Sequence, residues 1–305
     1  MLRFIIRRVL WGVPVLLIVS SITFGILHVV PGGPFDQEKK LPPEIQANVE
    51  AKYHLDQPVW RQYVLYLQGL LRGDLGPSYK YLGRSVSDII RDTFLVSTQL
   101  GLVAIMIAMI LGITAGIFAA SHPGSGWDRF LMFLSTTGIA IPNFVLSTAL
   151  ILLFSNLLHL FPPALWEGPR YLVLPAFSLA LLPAAYIARL MRSSILEVIK
   201  KEYIQAAQAR GLSRFHVMLK HVLKNSMTPV ISYLGPLAAT LVTGSFVVEF
   251  IFSIPGMGKF FITAVTNRDY PLIMGVTLVY AVLIILANLM VDILYAVMDP
   301  RVRLE

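Results

Sequence analysis

The stretch Glu202–Asn225, EYIQAAQARGLSRFHVMLKHVLKN, is the only long basic and water-compatible segment among the membrane-length apolar runs in the last two thirds of the chain. Tyr203–Arg210 is rich in Ala and Gln, which predicts a short helix. Gly211 can supply a left-handed C-cap, and Ser213 can N-cap a second helix that runs to Leu223. The stretch therefore predicts a helix, a glycine elbow and a second helix, held at one face of a membrane.

Charge-free apolar runs surround this segment, and each is near or above the ~20 residues that cross hydrocarbon as a helix. The six runs are Val9–Val30, Phe94–Ala120, Phe130–Leu158, Tyr171–Ala188, Asn225–Val248 and Pro271–Val291. The first run follows arginines and exceeds the ~7–15-residue core of a cleaved signal peptide, so it predicts an uncleaved anchor. We expect an all-α integral membrane protein with six transmembrane helices.

The composition agrees with a membrane protein. Of the 305 residues, 56% are hydrophobic and 14% are charged, whereas soluble domains are about 45–50% apolar. If the N terminus is cytoplasmic, the inner segments carry 14 Lys and Arg residues, the short outer loops carry three, and residues 31–93 carry eight together with eight acidic residues. The net charge of +8 then follows from positive-inside topology with both termini cytoplasmic, and it requires no nucleic-acid partner.

Several predicted spans contain residues that bend or break helices: Pro142 in the third, Pro175 and Pro183 in the fourth, and Pro229, Gly235 and Pro236 in the fifth. In lipid such residues are tolerated where neighbouring helices or a wet cavity satisfy the freed backbone groups. We therefore expect the third to fifth spans inside a bundle. Gly112 and Gly116 form a GxxxG motif in the second span, which allows close helix approach. Chance occurrence in a glycine-rich membrane helix is an equal alternative.

Residues 31–93 are the one sizeable extramembrane segment on the outer side. Pro42, Pro43 and Glu44 predict a helix start, and Gln57–Leu71 places apolar residues at helical spacing. These apolar residues are Val59, Tyr63, Tyr66, Leu67 and Leu70. We expect two or three short amphipathic helices on the outer mouth. They could dock or gate a partner, or they could be a cap that seals the bundle, and the pattern favours neither.

The titratable residues form no catalytic or metal-binding motif in the sequence. The six His residues are scattered without an HExxH motif, and the chain has no Cys. Gly256–Lys259 matches a phosphate-binding loop only in part, because Ser253 and Phe260 stand where that loop has Gly and Ser or Thr. The centre of each predicted span is uncharged, which disfavours an ion-coupled carrier. We expect a non-enzymatic membrane protein without a metal or cofactor of its own, whose energy comes from a partner.

Gln205-Ala206-Ala207, followed after three residues by Gly211, resembles the cytoplasmic Glu-Ala-Ala loop of ABC-importer permeases. Further motifs resemble the first membrane subunit of an oligopeptide permease: the MLRFIIRR opening, Pro31–Pro34, Gly73–Gly76, Asn267–Tyr270, and Asp292, Tyr295 and Asp299–Arg301 near the end. Gln205 stands where the wider family has Glu, and Lys224 and Asn225 stand where it has a Pro. Peptide permeases are similarly relaxed at these positions.

The resemblance implies a type I ABC importer permease fold and a place in the bacterial cytoplasmic (inner) membrane. The implied organisation is an N-terminal transmembrane helix (1–30), an outer helical segment (31–93), a five-helix transmembrane domain (94–298) with the coupling loop 193–226, and a cytoplasmic tail (299–305). The implied partners are a second homologous permease, two ABC ATPase subunits that bind ATP and Mg, an extracytoplasmic peptide-binding protein, and membrane lipid.

The implied function is the import of oligopeptides across the cytoplasmic membrane. Dipeptides, nickel chelates, haem or oligosaccharides are alternative cargoes within the same family. An ion-coupled carrier, a channel and a structural scaffold without transport are alternatives from other classes.

Three groups of candidate functional residues follow. The resemblance implies a coupling group that contacts the ATPase: Gln205, Ala206, Ala207, Arg210 and Gly211, with Arg214 and Lys220 near acidic protein or lipid phosphates. Polar but uncharged residues are candidates for the translocation pathway: Asn143, Ser232, Thr240, Thr243 and Gly244, although Ser and Thr in membrane helices also bond to their own helix. Glu249, Arg268 and Asp269 are candidates for an outer gate or a binding-protein contact. Glu249 could equally pair with a nearby Arg or with lipid headgroups.

Overall fold

A computed structural model of the chain describes residues 2–35, 51, 53–242 and 244–298. In that part of the chain the regular structure is helical, and the β-type pairing is one isolated bridge between Pro77 and Ser85. The predictions for Pro42, Pro43 and Glu44, for Thr243 and for the tail 299–305 lie outside the described residues.

The helices follow one another with short connections. They are α1 (Leu2–Val29), α2 (Val59–Leu71), α3 (Val86–Ser121), α4 (Gly126–Ala140), α5 (Asn143–Leu150, continued as a π-helix over Ile151–Leu157) and α6 (Pro169–Val198). The second half of the chain contains α7 (Glu202–Ala209), α8 (Arg214–Val217, continued as a π-helix over Met218–Leu223 and a last turn Lys224–Ser226), α9 (Thr228–Val242), α10 (Phe246–Ile251), α11 (Met257–Asn267) and α12 (Tyr270–Met298).

Five stretches are single spans long and apolar enough to cross a membrane, and a bent pair supplies a sixth if it is counted as one span. The bent pair is α4 with α5 and its π-helical continuation, and the two parts meet at 106°. The bend lies at Ile141 and Pro142, because proline lacks the N–H of a helical residue and disfavours helical geometry in the residue before it. Ile141 is accordingly extended, with φ −82° and ψ 120°. The predicted break at Pro142 is confirmed.

The other proline predictions have a different outcome. The helix α6 runs through Pro175 and Pro183 without interruption, and both rings are buried. This helix is the most buried of the five single spans, because 61% of its 18-residue apolar stretch is buried inside the chain. By contrast, α4 and α5 expose most of their side chains within this single chain. The interior position predicted for the third to fifth spans therefore applies chiefly to the fourth.

Two glycines bring α3 and α6 into close contact. A Cβ atom added at Gly112 would lie 2.6 Å from the Cβ of Ile187, and one added at Gly116 would lie 2.6 Å from the Cβ of Met191. Carbonyl oxygens of α6 lie equally near, at 2.7 Å from each added atom. A side chain at either position would force the helices apart. The GxxxG motif is therefore a packing motif within the chain.

Parallel packing of α3 and α6 fixes which helix ends lie together, because residue numbers rise in the same direction along both helices at this contact. Because Gly116 faces Met191, the end of α3 and the end of α6 share one side of the bundle. Arg8 of α1 pairs with Asp292 of α12 on that same side. We call it the basic end, since it collects most of the arginines and lysines of the described helices, and we call the other side the opposite end.

The amphipathic helix predicted over Gln57–Leu71 is observed as α2, at the opposite end. The Tyr63 hydroxyl lies 2.9 Å from the Ser20 hydroxyl and 2.7 Å from the Ser21 hydroxyl of α1. These contacts fasten α2 to the anchor helix.

The packing at Gly112 gives a first prediction. Gly112→Ala should lower the free energy of unfolding by about 1–3 kcal/mol, because the added methyl group overpacks the helix contact. Gly25→Ala in α1 is the matched control, since outside its own helix backbone no described atom lies within 4 Å of a Cβ added there. Thermal unfolding of the purified protein in detergent measures both variants. Equal unfolding midpoints for the two would contradict the assigned contact.

Candidate functional site

The basic stretch folds as predicted into two helices joined by a glycine turn. The first helix, α7, ends at Ala209, and Gly211 has a φ of +81°, a left-handed conformation that glycine adopts without strain. The Ser213 hydroxyl accepts a hydrogen bond from the His216 amide at 3.3 Å and so caps α8. We call residues 199–227, which comprise α7, this turn and α8, the basic elbow.

One buried side chain anchors the basic elbow to the bundle. Ile204 of α7 is fully buried and belongs to the same apolar cluster as Val198 of α6 and Val217 of α8. The Asn225 side chain donates to the Tyr203 hydroxyl at 3.1 Å and ties the end of α8 back to α7. The elbow is therefore a packed unit that continues directly from α6.

The predicted coupling residues lie on the exposed side of this unit. Gln205, Ala206, Arg210 and Gly211 are exposed and Ala207 is half-buried. Apart from its chain neighbours, no described residue has an atom within 4 Å of a Cβ added at Gly211. The structure thus brings these residues together on one accessible surface, and their contact with an ATPase stays a prediction.

Sequence reasoning missed the apolar part of the same surface. Phe215 is 74% exposed, and Leu212 and Leu219 beside it are also exposed. Large apolar side chains exposed outside the membrane-length runs mark contact surfaces. A signal was available, because these residues interrupt an otherwise polar stretch and fall off the face that carries Val217 and Val222.

The candidate pathway residues have local partners. The Ser232 hydroxyl donates to the Thr228 carbonyl at 2.8 Å, and the Thr240 hydroxyl donates to the Pro236 carbonyl at 2.9 Å. Both therefore show the bonding to their own helix that membrane helices commonly contain. Asn143 begins α5 directly after the bend, and its Oδ1 is buried without a hydrogen-bond partner among the described residues. A translocation role for this group stays a prediction.

Gly244 and Glu249 follow the C-terminal end of α9 and belong to a buried group of hydrogen bonds, which we call the Glu249 clamp. The Glu249 carboxylate is fully buried. It accepts from the Ser97 hydroxyl of α3 at 2.8 Å, from the Gly258 amide at 2.7 Å and from the Lys259 amide at 3.3 Å. Those amides open α11, so the carboxylate caps a helix N-terminus, where negative charge is favoured.

Glycines make room for this carboxylate. A Cβ added at Gly244, where φ is +95°, would lie 2.5 Å from Glu249 Oε1, and one added at Gly258 would lie 2.9 Å from Oε2. Gly256 approaches the same carboxylate closely. The Gly256–Lys259 sequence is thus a turn that binds an internal carboxylate through its backbone, in agreement with the rejection of a phosphate-binding loop.

A second buried carboxylate fastens the opposite end. Asp269 accepts from the Ser78 hydroxyl and from the Tyr79 amide, the latter at 3.1 Å, and so ties the start of α12 to the segment before α3. Burial, and after it the nearby Asp269 carboxylate, raises the pKa of the Tyr79 hydroxyl, which therefore stays protonated. Neither Glu249 nor Asp269 reaches the surface in this conformation. Both act as internal cross-links, and the outer contacts predicted for them stay predictions.

Arg268 connects two of the motifs quoted from the sequence. It adopts a left-handed conformation with φ 56°, and its Nη1 donates to the Gly33 carbonyl at 3.4 Å. Next to it, the Tyr270 hydroxyl donates to the Gly32 carbonyl at 3.3 Å. The Pro31–Pro34 and Asn267–Tyr270 motifs, 235 residues apart at the first of these contacts, therefore meet at the opposite end.

With this geometry, comparison with known proteins identifies the class. The family described as binding-protein-dependent transport system inner membrane component matches residues 112–304, and the N-terminal region of such membrane components matches residues 1–88. The chain belongs to this family of transport-system membrane components. The predicted all-helical permease fold is confirmed.

Individual relatives match over the full length. The oligopeptide transport system permease protein OppB of Haemophilus influenzae is 45% identical over 305 residues, covering 99% of this chain and 100% of that protein. The dipeptide transport system permease protein DppB of Bacillus subtilis is 45% identical, covering 100% of this chain and 99% of that protein. The OppB of Escherichia coli K12 is 43% identical, covering 99% and 100%.

Solved structures agree in fold. An inward-facing structure of the MetNI methionine ABC transporter matches with a TM-score of 0.57 at 17% identity, covering 69% of this chain and 96% of that one. A crystal structure of an amino acid ABC transporter with histidines matches with a TM-score of 0.55 at 15% identity, covering 68% and 93%. At these identities the likeness concerns the fold alone.

The Glu249 clamp gives a second prediction. Glu249→Ala should lower the free energy of unfolding by about 1–3 kcal/mol, because buried amides and a hydroxyl lose their acceptor. Glu249→Gln should have a smaller effect, since its carbonyl can still accept from Gly258 and its NH₂ can donate to Ser97. Thermal unfolding in detergent measures both, with Glu167→Ala as a control at an exposed glutamate. An Ala variant as stable as the wild type would show that the clamp has no stabilising role.

Proposed function

We propose that this chain is a permease subunit of an ATP-driven ABC importer that carries oligopeptides across the cytoplasmic membrane. The observation that carries the proposal is the full-length likeness to permeases named for oligopeptide transport, at 43–45% identity. The exposed basic elbow supports the proposal, because a permease driven by separate ATPase subunits needs an exposed surface that they can contact.

The orientation follows from charge. The basic end collects arginines and lysines of α1, α4, α6 and the basic elbow, and positive segments are retained on the cytoplasmic side. The N terminus, the basic elbow and the C terminus then lie in the cytoplasm. The opposite end, with α2 and the Asp269 cross-link, faces outward.

The basic elbow is the proposed coupling site. Two ATPase subunits, which would bind ATP and Mg, act on this chain and on a second homologous permease. Small side chains at Ala206 and Ala207 let α7 enter a groove, and Gly211 sets the angle to α8. Phe215 and Leu212 supply apolar contact area. Arg210 and Lys220 can bind acidic groups on the ATPase subunits or lipid phosphates.

In this proposal the transport cycle is a shift between two arrangements of the bundle. Nucleotide on the ATPases biases the equilibrium at the basic end, and a loaded extracytoplasmic peptide-binding protein biases it at the opposite end. The chain itself contributes a pathway, a packed elbow and the helices that connect them, and it needs no cofactor of its own.

A dipeptide importer is the second candidate, because the dipeptide permease of Bacillus subtilis matches equally well at 45% identity. Competition in uptake assays separates the two. Uptake of labelled pentapeptides that unlabelled dipeptides do not inhibit supports the oligopeptide assignment. Uptake of labelled dipeptides without uptake of pentapeptides overturns it.

Affinity purification from the native membrane in mild detergent tests the assembly. Mass spectrometry should identify a second permease, ATPases and a peptide-type binding protein in the purified material. Recovery of this chain alone as a homo-oligomer would overturn the ABC-importer assignment and favour a channel or carrier.

The elbow gives a third prediction. Gly211→Val should reduce ATP-dependent peptide uptake roughly tenfold, because a β-branched residue is strained by ~1–2 kcal/mol or more in a left-handed conformation and would redirect the elbow. Gly211→Asn is the matched control, since Asn tolerates this conformation, and it should retain most of the uptake. Uptake of labelled peptide into proteoliposomes that contain the complete transporter measures both. Full uptake with the Val variant would refute the coupling role of the elbow.

A further inference from the structure

An ion pair at the basic end, between a buried carboxylate and a partly exposed guanidinium, links α4 to α6 and has no part in the function proposed above. Arg192 Nε donates to Asp128 Oδ1 at 2.5 Å, and Arg192 Nη2 donates to Asp128 Oδ2 at 2.7 Å. Two parallel bonds between a guanidinium and a carboxylate fix orientation as well as distance. Asp128 is only 2% exposed, so little water competes for its oxygens.

The carboxylate is also part of the start of α4. The Gly124 amide donates to Asp128 Oδ2 at 2.8 Å, and the Asp128 amide donates to the Ser125 hydroxyl at 3.2 Å. The Asp128 carboxylate therefore accepts both from the loop between α3 and α4 and from the α6 side chain, while the Ser125 hydroxyl accepts from the first turn of α4. We call this group of contacts, made by Gly124, Ser125, Asp128 and Arg192, the inner clasp.

On the α6 side, the clasp lies between the central helix contact and the basic elbow. Met191, the neighbour of Arg192, packs against Gly116 of α3. Six residues beyond Arg192 the helix ends at Val198, and Ile204 of the elbow packs into the same apolar cluster. One continuous helix therefore connects the elbow to Arg192.

On the α4 side, the clasp joins α6 to a helix that buries few of its side chains. Within α4 only Asp128 and Ser135 are buried, and the Ser135 hydroxyl donates to the Leu131 carbonyl of its own helix. The far end of α4 reaches the 106° bend and Asn143. Near the bend, a Cβ added at Gly138 would lie 3.7 Å from the Cβ of Ala185 of α6, so this contact and the clasp together position the bend.

We propose that the Asp128–Arg192 pair is a positioning link that makes α4, and with it the bend of the third span, follow α6 when the basic elbow moves. Asp128 and Arg192 would then pass a movement of the basic elbow, driven by the ATPases, on to the bend of the third span. Neither residue would contact the transported peptide. This inference rests on the proposed function, since it assigns the pair a role in the same transport cycle. A pair that only stabilises the fold would affect abundance and unfolding but not the ratio of transport to ATP hydrolysis.

The complete transporter in proteoliposomes tests the proposal. Asp128→Asn and Arg192→Lys should each lower the number of peptides imported per ATP hydrolysed, by roughly twofold to tenfold. Asp128→Asn removes the charge, and Arg192→Lys keeps the charge but loses the bidentate geometry. Combining Asp128→Arg with Arg192→Asp should recover part of the ratio that either change alone removes.

A matched control is present at the opposite end. Arg84 and Asp92 form an exposed ion pair beside the first turns of α3, and the pair does not join two helices. Asp92→Asn should leave the ratio of peptide imported to ATP hydrolysed unchanged. If Asp128→Asn and Arg192→Lys also leave this ratio unchanged while the transporter stays assembled, the positioning role is refuted.

A distance measurement separates this inference from the proposed function. The chain has no Cys, so spin labels at Phe133→Cys on α4 and Ser193→Cys on α6 report only on these two exposed positions. The distance distribution should stay narrow with and without nucleotide, and Asp128→Asn should broaden it. An unchanged distribution in Asp128→Asn overturns the link. Absence of ATP-dependent peptide uptake by the wild type would instead overturn the proposed function.

Discussion

The contact between α3 and α6 at Gly112 and Gly116 is the constraint on which the rest of the structure depends. In lipid, helix association gains little from burial of apolar surface, so it relies on close packing and internal hydrogen bonds. The two glycines let the backbones approach until carbonyl oxygens of α6 occupy the space of a missing Cβ. With α6 fixed in this way, its continuation places the basic elbow, and its Arg192 side chain places α4.

Buried carboxylates then attach the peripheral elements to this pair of helices. Asp128 holds α4 to α6, Glu249 holds α10 and α11 to α3, and Asp269 holds α12 to the segment before α3. Each carboxylate lies at or beside the start of a helix and accepts from backbone amides as well as side chains. A charge in a weakly polar medium is tolerated only when it is paired in this way. The three cross-links therefore fix the positions of the peripheral helices relative to α3 and α6.

Much of this arrangement could be predicted from the sequence, where the signal is local. The apolar run lengths gave the spans, Pro142 gave the bend, and Gly211 with Ser213 gave the elbow, because each depends on the backbone chemistry of a few adjacent residues. The prediction that Pro175 and Pro183 break the fourth span was wrong, since neighbouring helices bury α6 and the helix continues through both prolines. The cross-links could not be found, because Glu249 and Ser97 lie 152 residues apart and Asp269 and Ser78 lie 191 apart. Only the folded topology brings such residues together.

The same cross-links bear on the source of energy for transport. A carboxylate that relays protons must exchange its partners with water or cargo during the cycle, whereas Asp128, Glu249 and Asp269 use both oxygens on internal donors. Removing those donors would leave buried amides and hydroxyls unpaired, at a cost that proton binding would have to offset at every turnover. These buried carboxylates are therefore better suited to hold helices than to carry protons. In the proposed function, this leaves the exposed elbow at the basic end as the surface on which the ATPase partners act.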